Sequence, residues 1–187
     1  MEAERRYHVG DLRGRLTREA RRMLDEGLPL NLRALAARTG ITTGSMYHHY
    51  QGKAELLAEV AGGGFRELRQ ALEAADRDAA PGGRLRAWAT GYFAFARREP
   101  ALFALMFDPE IADQTAVAEA RKAVLDALRR VVGEVANAQG RAQAPLEQIT
   151  LAVWAAAHGA AALAMSTPGR PELIDEVIAG LEALFRP

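Results

Sequence analysis

The sequence predicts an all-α protein, and three observations predict it. Ala, Leu, Arg and Glu fill the segments that lie between Pro and Gly residues, and these are the types that lose least on entering a helix. Apolar side chains return every three or four residues inside those segments. No run of Val, Ile, Thr and aromatic residues alternates with period two over the length of a strand. Nine helices are expected, near residues 12–26, 32–39, 43–50, 53–76, 83–98, 100–107, 114–138, 146–165 and 171–185. The 187 residues, 49% of them apolar, suffice for one large or two small domains with buried cores.

Taken in order, the first helix is rich in arginine: Arg13, Arg15, Arg18, Arg21 and Arg22 all fall on it. The second and third are short and joined by Gly40-Ile41-Thr42. Gly40 stands where a helix must end in a left-handed residue, which glycine reaches without a Cβ penalty. Asn31 and Thr42 each precede a helix and carry side-chain oxygens able to cap free N–H groups. Ala36 shares a face with Leu32 and Leu35, and Ile41 and Met46 supply facing contacts, so the two helices cross closely. The fourth helix contains Gly62-Gly63-Gly64, which weakens it by about 1 kcal/mol per glycine relative to alanine; the triplet serves either close packing or a hinge.

Pro81-Gly82-Gly83 precedes the fifth helix, Pro100 opens the sixth, Pro145 opens the eighth, and Pro168-Gly169-Arg170-Pro171 separates the last two. On the seventh helix Val117, Val124, Leu128, Val131 and Val135 form one stripe. On the ninth, Leu173, Val177, Leu181 and Leu184 do the same beside Ile174, Ile178 and Phe185.

The charges are balanced, 24 basic against 24 acidic, which speaks against a nucleic-acid partner until their distribution is considered. Residues 1–53 hold ten basic and six acidic residues, so the chain reads as a basic head followed by an acidic body. Zero cysteines exclude a disulfide framework, a thiolate metal site and a cysteine nucleophile, and fit a reducing cytoplasm. The first thirty residues have no apolar stretch of signal-peptide length. Ile149 to Met165 is 17 residues of mostly Ala, interrupted by His158; this is short for a bilayer span and reads as a buried helix, so no membrane partner is expected.

The outward positions of the third helix, Thr43, Gly44, Ser45, Tyr47, His48 and His49, are small or hydrogen-bonding, and none is acidic. Such a surface suits a DNA major groove, with Thr43, Gly44 and Ser45 near base edges and Tyr47, His49 and Lys53 reaching phosphates. The N–H groups opening the helix at 53 add an anion site. His48 and His49 read poorly as a metal pair, because neighbours on a helix point about 100° apart.

In the body, Trp88, Tyr92 and Phe95 lie one turn apart on one helix, as do Trp154 and His158 on another. With Phe103, Met106 and Phe107 they concentrate the bulky groups of an otherwise Ala-rich region. Such stripes are most often core, but an apolar cavity with Tyr92 and His158 as polar handles also describes a small-molecule site.

The run from Leu32 to Leu57, LRALAARTGITTGSMYHHYQGKAELL, closely resembles the DNA-binding domain of the TetR family of bacterial transcriptional regulators. Ala and Gly in the turn, Tyr47, His49, the aromatic Tyr50, Lys53 and the Glu55-Leu56-Leu57 run carry the match. Gly27 to Asn31 is one residue shorter than the usual connection, and Asn31 stands where Thr or Ser is commoner. The resemblance implies DNA contacts from Arg33, Thr43, Gly44 and Ser45, backbone contacts from Tyr47, His49 and Lys53, and a variable position at His48. Met106-Phe107 and Trp154-Ala155-Ala156-Ala157-His158-Gly159 resemble, more weakly, the Trp-x-x-x-His-Gly group of C-terminal domains in that family.

What the resemblance implies is a nine-helix architecture in which residues 1–60 form a three-helix helix-turn-helix domain. Residues 61–187 then form an antiparallel helical ligand-binding and dimerisation domain, whose effector site draws on Trp88, Tyr92, Phe95, Phe103, Met106, Phe107, Trp154 and His158. It also implies a homodimer joined through the helices near 146–165 and 171–185, a double-stranded DNA operator and a hydrophobic small-molecule effector of unknown identity. Ala155 to Ala157 and Gly159 to Ala162 independently offer a smooth surface for close helix approach.

The expected function is a cytoplasmic, ligand-released repressor of a pseudo-palindromic operator, with no catalytic residues, no metal and no cofactor. The alternative is a constitutive DNA-binding regulator or docking module without an inducer. An enzyme is disfavoured: the body offers only His158 as an acid-base group, and no HExxH, phosphate loop or GxSxG occurs.

Overall fold

A computed structural model of the chain describes the backbone of residues 2–80, 82–166, 172 and 175–180, and their side chains from residue 12 onward. Among the described residues there are helices and turns and no strand. The helices are α1 (Glu2–Asp25), α2 (Leu32–Thr39), α3 (Thr43–His49), α4 (Lys53–Arg77), α5 (Arg84–Arg98), α6 (Pro100–Met106), α7 (Thr115–Ala138) and α8 (Leu146–Ser166), with a 3-10 turn at Pro109–Ile111. Residues 175–180 are also helical; the remainder of the expected ninth helix, with Leu173, Ile174, Leu181, Leu184 and Phe185, lies outside the described residues.

The elements appear where the local signals place them, within a residue or two at most ends. The exception is α1, which begins ten residues earlier than expected. Caps explain the accuracy at α2 and α3. Asn31 Oδ1 accepts from Ala34 N–H at 2.9 Å, Thr42 Oγ1 accepts from Ser45 N–H at 3.1 Å, and Gly40 ends α2 at φ 71°.

The chain forms two compact units. The first comprises residues 1–65 and 99–120; the second comprises 66–98 and 121–187. The core of the first is built from Leu16, Ala20 and Met23 of α1, Leu35 of α2, Met46 of α3 and Leu56 of α4, all essentially inaccessible to solvent. α6 joins this core through Leu102, Phe103 and Met106. Phe107 stands edge-on to Phe65 at 5.4 Å and 5.0 Å from the Phe103 ring.

α4 passes through Gly62 to Gly64 without a break. A Cβ on Gly64 would lie 2.7 Å from Met106 Sδ and 2.9 Å from Leu102 Cγ. Close approach of α6 therefore supports the packing role at this glycine.

The spatial division changes the reading of the charges. Segments 54–65 and 99–120 contain seven acidic residues and no basic one, and they belong to the first unit. That unit therefore has 10 basic and 13 acidic residues, and the second has 14 and 11. The basic head and acidic body of the sequence cut become units of −3 and +3. Any attraction for DNA must come from local arrangement of charge and not from the unit's total.

In the second unit, Arg84 grips the Asp76 carboxylate with Nε at 2.8 Å and Nη2 at 2.6 Å, and also pairs with Glu134. The pairing with Arg84 holds Asp76 below the usual carboxylate range. Trp88 and Tyr92 of α5 are buried, as are Leu128 and Val132 of α7.

α8 departs from expectation. The Ala-rich stretch was expected to be a buried helix, yet only 17% of its most apolar 18-residue window is buried, with a mean hydropathy of 1.5. Leu151, Leu163 and Met165 are 64%, 54% and 40% exposed, while Thr150, Ala160 and Ala161 face inward. At 21 residues α8 is also long and apolar enough, by length and composition, to cross a membrane. An exposed helix face of this kind marks a contact surface.

Candidate functional site

The helix-turn-helix surface is built on the crossing of α2 and α3. Met46 is fully buried and anchors α3, which turns the other side of this seven-residue helix outward. Arg33 on α2 and Thr43, Gly44, Tyr47 and His48 on α3 are exposed, and Lys53 is exposed at the start of α4. Tyr47 presents 60% of its surface to solvent, a costly placement for an aromatic ring unless it has a partner. Ser45 and His49 are half-buried at the edges of the same face. All eight residues expected to contact DNA thus fall on or beside one accessible surface.

The C-terminal end of α3 is held by residues distant in sequence. Arg13 of α1 donates from Nη1 to the His49 carbonyl at 3.2 Å, from Nη2 to Glu55 Oε1 at 2.9 Å and from Nε to Glu59 Oε2 at 2.6 Å. Its guanidinium carbon lies 4.7 Å from the centre of the Tyr50 ring. Thr17 Oγ1 donates to Glu59 Oε1 at 3.0 Å and lies 3.2 Å from the Tyr50 hydroxyl. Burial raises the Tyr50 phenol above its ordinary range. The hydrogen bond from Gln51 N–H, then the Arg13 contact, lowers the Glu55 carboxyl. Because Glu55 Oε2 accepts that N–H at 2.8 Å, part of the anion-binding capacity expected at the start of α4 is already met by the helix's own carboxylate.

Sequence reasoning missed this role for Arg13, counting it only as head charge. A signal was present: Arg13 and Thr17, like Glu55 and Glu59, are spaced one helical turn apart and complementary in charge. Other arginines of the first unit are similarly occupied. Arg38 pairs with Glu19 at 2.6 Å and Glu26 at 3.0 Å, Arg22 pairs with Glu19, and Arg21 pairs with Asp25 and Glu99. The Arg38 contact lowers the Glu19 carboxyl. Arg33 and Lys53, on the α2–α3 surface, form no ion pair among the described residues.

The second unit encloses a cavity of about 460 Å³. Of the expected effector residues, Trp88, Tyr92 and Trp154 line it. The Tyr92 hydroxyl lies 3.1 Å from His158 Nδ1, and the Tyr92 ring stands edge-on to Trp154 at 5.4 Å. Burial pushes the Tyr92 phenol well above its ordinary range and the His158 imidazole below its own, so both are neutral near pH 7.

The other four expected residues do not line the cavity. Phe95 is fully buried beneath the Arg98 guanidinium, 5.4 Å from its ring. Phe103, Met106 and Phe107 belong to the core of the first unit. Sequence reasoning overlooked the contribution of α7, whose Leu128, Val132, Val135 and Ala136 form one wall. The regular stripe of α7 was visible, but stripe periodicity does not distinguish a packed face from a cavity wall.

Comparison with known proteins agrees with this architecture. Residues 17–60 match the family described as "Bacterial regulatory proteins, tetR family", and residues 85–183 match "Tetracyclin repressor-like, C-terminal domain". A protein of unknown function from Rhodococcus sp. RHA1 is 31% identical, with 96% of this chain and 95% of that chain covered and a TM-score of 0.77. A transcriptional regulator of the TetR/AcrR family from Thermobifida fusca YX-ER1 shares the fold at 18% identity, 95% and 100% coverage and a TM-score of 0.69. A protein assigned to the tetR family of transcription regulators from Shewanella sp. PV-4 does so at 17% identity, 89% and 94% coverage and a TM-score of 0.68. No curated protein matches. With both halves matched and an exposed helix-turn-helix in the first unit, the chain belongs to the TetR family and is a DNA-binding transcriptional regulator.

Proposed function

We propose that the chain is a homodimeric repressor that leaves its operator when a small, largely apolar effector occupies the cavity of the second unit. The observation that carries this reading is the cavity itself: about 460 Å³, walled mainly by aliphatic and aromatic side chains, within the usual size range of small-molecule sites. In this reading Arg33, Thr43, Gly44 and Ser45 approach base edges, and Tyr47, His48, His49 and Lys53 hold the DNA backbone. Two such heads read a pseudo-palindrome whose half-site spacing matches their separation. An effector drives release only through its preference for the conformation with the wrong separation.

Dimerisation places α8, with Leu151, Ala155, Gly159 and Leu163 outward, and the C-terminal segment against a second copy. The exposed apolar face of α8 supports this, since water contact with Leu151 and Leu163 is unfavourable by roughly 1 kcal/mol or more each. The protein works in the cytoplasm, on DNA, without catalysis, metal or cofactor, and α8 contacts protein and not lipid.

The test is a gel shift on duplexes selected from a random pool by the protein. Arg33→Ala combined with Tyr47→Ala should abolish the shift; undiminished binding would overturn the contact assignment. Operator binding by a chain that no apolar small molecule stabilises against heat would favour a constitutive regulator instead.

A further inference from the structure

The cavity of the second unit is polarised from its depth to its mouth. Its buried lining is apolar, with Leu72, Phe93, Leu128 and Val132 prominent. The one buried hydroxyl there, on Tyr92, is already engaged with His158. The lining residues that remain exposed to solvent, and so stand at the opening, include Arg86, Gln139 and Arg141. Among the described lining residues, every charged side chain is an arginine and none is acidic. Arg141 forms no ion pair among the described residues. The unit around them carries an excess of basic residues, 14 against 11.

From this polarity, and resting on the effector-binding reading above, we infer that the ligand class is an amphipathic carboxylate. Its alkyl or aromatic body occupies the apolar wall, and its anionic head stays at the mouth beside Arg141 and Arg86. The guanidinium group suits this role, because it presents paired N–H donors to the two oxygens of a carboxylate. The head remains partly hydrated at the opening, so the large cost of burying an isolated charge does not arise. A neutral amphiphile of the same length would gain the apolar contacts but not the charge contacts. A cationic one would meet like charge at the mouth.

The experiment uses the full chain, with thermal unfolding and calorimetric titration of decanoate, 1-decanol and decyltrimethylammonium below their aggregation limits. Decanoate should bind at least about fivefold more tightly than 1-decanol, the yield of exposed charge pairs. That advantage should shrink as salt is added, while 1-decanol is unaffected. Arg141→Gln should remove part of it, and Arg86→Gln with Arg141→Gln the rest, leaving 1-decanol binding unchanged. Both arginines are exposed, so the variants keep the fold; a melting transition without ligand verifies this.

Equal binding of decanoate and 1-decanol, or an advantage that survives in the double variant, overturns the carboxylate inference while leaving the effector reading intact. Failure of all three probes to bind a chain that still shifts DNA overturns the effector reading together with this one.

Discussion

Arg13→Ala separates a strut from a phosphate contact. The guanidinium makes ion pairs with Glu55 and Glu59, a hydrogen bond to the His49 carbonyl and a contact with the Tyr50 ring. Its side chain is 44% exposed, so the ion pairs are screened and worth about 0.2–1 kcal/mol each. The carbonyl hydrogen bond adds about 1 kcal/mol and the ring contact about 0.5–1 kcal/mol. Removing all four should destabilise the first unit by about 2–3 kcal/mol.

Part of that loss falls on the docking of α3. A head whose recognition helix is correctly placed one-tenth of the time binds about tenfold more weakly. The assay is the operator dissociation constant, measured from low to moderate salt for wild type, Arg13→Ala and Lys53→Ala. A phosphate contact lowers the slope of log affinity against log salt by about 0.9, and a strut does not change it. Lys53→Ala should show the reduced slope, and Arg13→Ala should show weaker binding at an unchanged slope. A slope lowered by about 0.9 in Arg13→Ala would refute the argument, because Arg13 would then be touching DNA.

Four further outcomes are expected. Gly64→Ala should lower stability in denaturant titration: overpacking against Leu102 and Met106 costs about 1–3 kcal/mol and outweighs the roughly 1 kcal/mol gained in helix propensity. Tyr92→Phe should cost about 1 kcal/mol in the second unit by removing the hydrogen bond to His158, visible as a lower melting temperature. Because His158 is held below its ordinary value of 6.5, its contribution to stability is present above that pH and lost as pH falls through the folded-state value. Melting temperature should therefore drop more steeply between about pH 7 and 5 in wild type than in His158→Gln. Leu151→Glu with Leu163→Glu should convert a dimer to monomer in sedimentation, and a dimer that persists would remove α8 from the interface.

Much of the fold was legible because its determinants are local. The Asn31 and Thr42 caps act over three residues, Gly40 acts on its own backbone angle, and the stripe of α7 repeats within a turn. The recognition face was legible for the same reason: Met46 inward and Tyr47 outward follow from helical geometry once the two helices cross. The ion pairs of Arg13 span 42 and 46 positions, and no periodicity within one helix reports such a partner.

By itself, the sequence determined where the helices begin and end, which face of α3 is outward, and which family the helix-turn-helix resembles. Tertiary structure alone decided how the charges divide, because the return of α6 brings acidic residues into the first unit and turns its balance from +4 to −3. It also decided that Phe103, Met106 and Phe107 build a core while Trp88, Tyr92 and Trp154 line a cavity. The physical reason is common to all of these. Helix formation is set by interactions within about four residues, whereas charge neutralisation and cavity lining depend on which distant segments the packed core brings together.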